Sequence, residues 1–93
     1  MVEEMLVEQA LQGIDPVLAA VRKKREEQIK KWGTQEHEPK MWYAILGEEF
    51  GEVGKEIAEG RIKPFDFDAY RKECLHTAAV ALAMVQCLDD GIA

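Results

Sequence analysis

Four glutamates and one histidine stand in two short groups, Glu48-Glu49-Phe50-Gly51-Glu52 and Glu73-Cys74-Leu75-His76. On a helix, residues three apart share a face, so Glu49 with Glu52 and Glu73 with His76 each form a pair of potential ligands. Two such helices side by side bring four side chains to one point, which is how helical bundles build a site for a hard cation. Other chemistries lack their residues here. The chain has no Gly-rich phosphate loop, no nucleophile elbow and no zinc-type spacing of Cys and His.

Glycines and prolines divide the chain into four helical segments that must position these groups. Residues 2 to 12 form a short amphipathic stretch carrying Met5, Leu6, Val7 and Leu11, with Gly13 as its stop. Asp15-Pro16 reads as an N-cap followed by proline at the first helical position, opening a second helix that runs to Trp32 and stops at Gly33. After the polar link Thr34 to Glu38, Pro39 starts a third helix that ends before Gly60. Asp66 or Asp68 caps a fourth through about Asp90, with Gly91 beyond. No stretch alternates as a strand does, and no repeat or linker marks a second domain. The expectation is an all-α, four-helix-bundle-like domain spanning residues 1 to 93.

At about 100° per residue, Trp42, Ile45, Leu46, Phe50, Val53 and Ile57 of the third helix fall in one sector, centred roughly 30° round from Trp42. Glu49 lies inside that sector, Glu52 and Glu56 lie at its edge, and Glu48 and Lys55 point away. A carboxylate within a core-facing stripe is costly unless a cation or a strong donor compensates it. Gly47, Gly51 and Gly54 gather on roughly the opposite side, where close approach of another backbone would justify the helix stability they sacrifice. The last helix is apolar almost all round from Thr77 to Leu88, which predicts a central helix with neighbours on most sides. Glu73 and His76 sit one turn upstream, where that buried stripe begins.

A domain of 93 residues is small enough that a partner subunit often completes its core. The net charge of -6 disfavours general affinity for nucleic acid or anionic membranes. The basic run Arg22-Lys23-Lys24-Arg25, with Lys30 and Lys31, encircles its helix and reads as a solvated face. Cys74 and Cys87 lie too far apart along one helix to bridge, which suggests a reduced, cytoplasmic protein. The apolar run Thr77 to Val85 is too short to span a bilayer, and the N-terminus is acidic where a secretion signal is basic.

An ordered set of motifs resembles a known family. Arg25-Glu-Glu-Gln28, Lys31-Trp32-Gly33-x-Gln35-x-His37, Trp42-x-x-Ile45-Leu46-x-Glu48-Glu49-x-Gly51-Glu52-Val53, Tyr70-x-x-Glu73 and Ala78-Ala79-Val80-Ala81 look like the MazG-like branch of the all-α nucleoside triphosphate pyrophosphohydrolases. The resemblance covers about residues 22 to 88. It implies magnesium held by a Glu-x-x-Glu pair and a Glu-x-x-Asp pair, here Glu49, Glu52, Glu73 and position 76. It also implies hydrolysis of a nucleoside or deoxynucleoside triphosphate between the α and β phosphates, a catalytic set of Glu48, Glu49, Glu52 and Glu73, and a homodimer or dimer of dimers. Arg25, Gln28, Lys31, Trp32 and Lys55 are the candidate substrate-binding residues. His76 departs from the pattern by standing where the family has Asp, and imidazole is a poor magnesium ligand better suited to manganese, zinc or iron. The departure implies metal held by Glu49, Glu52 and Glu73 with His76 as a supporting donor, a preference for a softer metal, or weakened or lost catalysis. The rival readings are a metal- or nucleotide-binding module that no longer hydrolyses, and a purely structural dimerisation domain.

Overall fold

The computed structural model describes residues 1–91, which are helical with no strand among them. Four helices follow in order: α1 (Val2–Leu11), α2 (Ile14–Trp32), α3 (Pro39–Glu59) and α4 (Phe67–Asp89). No helix among the described residues is long and apolar enough to cross a membrane.

The helix ends follow local backbone chemistry. Gly33 takes φ 75 and its N–H bonds the Ile29 carbonyl at 2.7 Å, closing α2 in a conformation that side chains disfavour. Pro39 occupies the first turn of α3, where a missing N–H costs nothing. Asp66 caps α4 by accepting from the Ala69 N–H at 3.0 Å. Asp15 differs from expectation. α2 begins one residue before it, with Gly13 at the N-cap position and φ 82. The left-handed glycine turns the chain from α1 into α2 within two residues, so Asp15 and Pro16 lie in the first turn, among N–H groups that have no intrahelical acceptor anyway.

The hydrophobic core is built along α4. On one side Val80, Ala83 and Cys87 bury Trp42 of α3, with Ile45, Leu46 and Met84 packed around them. On the other, Leu75 and Ala79 bury Val21 of α2. The small residues Ala79 and Ala83 let the neighbouring helices approach, and Ala79 is fully buried. His37 closes one end of the Trp42 cluster, edge-on to the indole at 4.9 Å between centroids, and its carbonyl accepts from the Cys87 thiol at 3.7 Å. Cys74 and Cys87 are both thiols. Phe65 packs on Tyr70 in the turn between α3 and α4, and a Cβ added at Gly60 would collide with the Phe65 ring.

Four expectations change at this level. The packed body consists of three helices, because none of the α1 residues is buried. α4 is central, but α2 and α3 together cover only part of its circumference: Leu82, Val85 and Leu88 stay exposed away from the buried stripe. The covered face of α3 is rotated from the sequence sector, taking in Glu49 and Glu56 with Trp42, Ile45, Leu46 and Val53, while Phe50 is 70% and Ile57 46% exposed. A Cβ at Gly47, Gly51 or Gly54 would meet nothing within 4 Å, so the close neighbour their presence suggested is not found among the described residues.

The resulting shape is open. The Cα radius of gyration is 15.9 Å, against about 12 Å for a compact domain of this length.

Trp42→Ala removes the largest side chain of the α3–α4 contact and is expected to cost about 3–5 kcal/mol, read by denaturant unfolding. The cap assignment is tested the same way: Asp66→Ala should cost about 1 kcal/mol, and Asp15→Ala only a few tenths, the share of a first-turn charge.

Candidate metal centre

The two acidic groups of the sequence meet across the α3–α4 contact. Glu49 projects from the covered face of α3, and Glu73 and His76 project from one turn of α4. His76 Nδ1 lies 3.5 Å from Glu73 Oε2 and 3.7 Å from Glu49 Oε2. One ligand atom from each of the three lies within 4.8 Å of the others. All three side chains are largely withdrawn from solvent, 17% exposed for Glu73, 22% for Glu49 and 27% for His76.

The surroundings hold this trio in place. The Thr77 hydroxyl donates to the Glu73 carbonyl at 2.9 Å, within the turn that carries Glu73 and His76. From α2, the buried Gln28 amide donates to the His76 carbonyl at 3.5 Å and accepts from Arg25 Nη1 at 3.4 Å. Gln28 therefore ties α2 to the backbone of the site. Neutral amides of this kind fix position without adding charge.

The electrostatics are those of an undercompensated acid cluster. Burial raises the Glu49 pKa above the ordinary carboxylate value; His76 opposes the shift, and Glu73, Glu52 and Glu48 reinforce it. A divalent cation reverses this balance by favouring the ionised carboxylates. Two glutamate oxygens and an imidazole nitrogen at these separations suit a divalent ion. The imidazole broadens that choice from magnesium toward manganese, iron or zinc.

Glu48 and Glu52 fall outside the trio. Both are exposed, with Glu52 one turn along α3 from Glu49. Glu48 lines a cleft of about 220 Å³ beside the trio, together with Gln28, Trp32, Gln35, Ile45, Glu49 and Val80. Trp32 is 54% exposed at this cleft, with Lys31 Nζ 4.7 Å from the centre of its ring. Lys55 is exposed and is not among the residues lining the cleft. Arg25 touches the site only through Gln28 and otherwise lines grooves on the far side of α2, against α4.

Gln35 is a cleft residue that side-chain chemistry alone did not single out. Its place in a polar link gave no periodicity to read, and its Nε2 lies 3.3 Å from His37 Nε2, in the segment that closes the Trp42 cluster.

The raised Glu49 pKa fixes the sign of a stability test. A carboxyl group whose folded pKa exceeds its unfolded value favours folding most at pH below the unfolded pKa, and that contribution is lost as pH rises through the folded pKa. In metal-free solution Glu49→Gln should therefore melt higher than the parent at pH 7, with the difference shrinking as pH falls below the ordinary carboxylate range. Saturating divalent metal should reverse the order at pH 7, since only the parent keeps the full ligand set.

Scans against family models, curated proteins and solved structures find no match for the chain.

Proposed function

We propose that the chain is a divalent-metal-dependent nucleoside triphosphate pyrophosphohydrolase of the MazG-like kind, acting in a reduced cytoplasm. The observation that carries this reading is the convergence of Glu49, Glu73 and His76 from two helices beside a cleft with an exposed indole. A polyphosphate would be repelled by this many carboxylates, so the reaction needs cations between acid and phosphate. Magnesium, or manganese, held by Glu49, Glu73 and His76 would neutralise phosphate charge and lower the pKa of a bound water.

The chain's own residues divide the remaining work. Trp32 offers an aromatic face for a base, with Gln28 and Gln35 as hydrogen-bonding groups on the same wall. Glu48 lines the cleft without belonging to the trio, so it is placed to accept the proton of the attacking water. Glu52, exposed one turn from Glu49, would be free to hold a second cation arriving with the substrate. The water oxygen bonds to the α phosphorus as the bond from that phosphorus to the bridging oxygen breaks, giving a monophosphate and pyrophosphate.

A cleft of about 220 Å³ is small for a nucleotide, since ligand pockets usually run to about 300–1,000 Å³. A second copy of the chain in a homodimer, or in a dimer of dimers, would supply the missing wall and complete the four-helix arrangement. His76 favours a second reading, in which the same fold binds metal and triphosphate without hydrolysis.

Pyrophosphate release from ribo- and deoxyribonucleoside triphosphates, measured with magnesium and with manganese, tests the proposal. Activity is expected with at least one nucleotide, greater with manganese, and reduced at least about 100-fold in Glu49→Gln, a larger loss than the 10–100-fold typical of groups supporting a metal ligand. His76→Asp should move the preference toward magnesium. Metal-dependent triphosphate binding with no pyrophosphate from any substrate would establish the silent reading instead.

A further inference from the structure

α1 is an apolar helix that the other described residues leave uncovered. Met5, Leu6, Val7 and Leu11 are each at least half exposed, and none of its residues is buried. Its charges are all negative: Glu3, Glu4 and Glu8, with no base. An isolated ten-residue helix is marginal in water, so this one needs a surface to lie on.

A surface of the opposite character lies between α2 and α4. The groove there has a volume of about 370 Å³ and is lined by Arg22, Arg25, Glu26, Ile29, Leu82 and Gln86. Its apolar floor continues along α4 through the exposed Val85. Arg22 is 83% exposed and only partly offset by Glu26 at 3.5 Å, while Arg25 Nε is buried without a hydrogen-bond acceptor. A helix carrying glutamates beside its apolar face supplies the missing acceptors and covers Ile29 and Leu82 together.

The accessible area indicates how much remains to be covered. The chain exposes 7325 Å², about 1,900 Å² more than a compact monomer of this mass. A stable interface takes about 800 Å² from each partner. We infer that α1 is an exchanged arm: the α1 helix of one copy docks in the α2–α4 groove of a second copy, and the second returns the same contact. The relation is isologous, so it closes at a dimer. It rests neither on hydrolysis nor on the contact proposed to wall the cleft, because the groove and the cleft share no lining residue.

The test mixes full-length chains carrying Met5→Cys with chains carrying Leu82→Cys under mild oxidation, with the parent as control for Cys74 and Cys87. The mixture should give a covalent dimer that neither variant gives alone. Light scattering should show the parent as a dimer and Met5→Glu/Leu6→Glu as a monomer, with unfolding of the three-helix body still cooperative because α1 is not part of its core. Glu4→Lys/Glu8→Lys should weaken association at least tenfold, and adding Arg22→Glu should restore part of it. A monomeric parent overturns the inference. So does a Met5→Cys/Leu82→Cys chain that cross-links only within itself, which would put α1 in its own groove. A dimer that survives Met5→Glu/Leu6→Glu also overturns it while leaving association intact, and loss of pyrophosphate release alone bears on the proposed reaction and not on the arm.

Discussion

Pressing a carboxylate against a neighbouring helix strips it of hydration that another group must replace. Glu49 is held in this position by the packing of α3 on α4, and the groups facing it are a second carboxylate and an imidazole. The same contact that buries Trp42 against Val80 and Ala83 thus assembles the acid cluster. Hydrophobic packing and site assembly are one event here. Any loss of the α3–α4 register would disperse Glu49, Glu73 and His76 as surely as replacing one of them.

The burial of Glu49 is a native-state cost that a cation would offset. Raising its pKa favours the protonated form, and a proton on the carboxylate is the only relief the described residues offer beyond the His76 ring. A divalent ion would give the helices a reason to keep three ionisable side chains in a contact otherwise made of Trp, Ile, Leu, Val and Ala. Gln28 supports this economy from α2: it holds the His76 carbonyl and meets Arg25, bringing the third helix to the site without another charge.

Much of the architecture was legible in the sequence because its signals are local. Gly33 and Pro39 mark helix ends by backbone constraint, Gly60 stands where the Phe65 ring leaves no room for a Cβ, and the placement of Glu49 among apolar residues follows from helical period. Asp15 misled because a cap is defined by the turn that precedes it, and the same left-handed Gly13 that stops α1 also serves as the N-cap of α2. The rotation of the covered face of α3 was hidden for a related reason. Phe50 and Ile57 are as apolar as Trp42, so the wheel averages over two faces, only one of which this chain covers. Helical spacing and the family resemblance together offered Glu52, and positive charge alone offered Lys55; both are exposed, while Gln35 reaches the cleft from a link with no period to read.

The most direct test of the account is the binding of manganese to the full chain, followed by electron paramagnetic resonance and by calorimetry, in the parent and in Glu49→Gln. The account predicts saturable binding by the parent at the Glu49, Glu73 and His76 cluster, with nitrogen coupling from an imidazole, and its loss in Glu49→Gln. Binding that is absent in the parent, or equal in the two proteins, would contradict it.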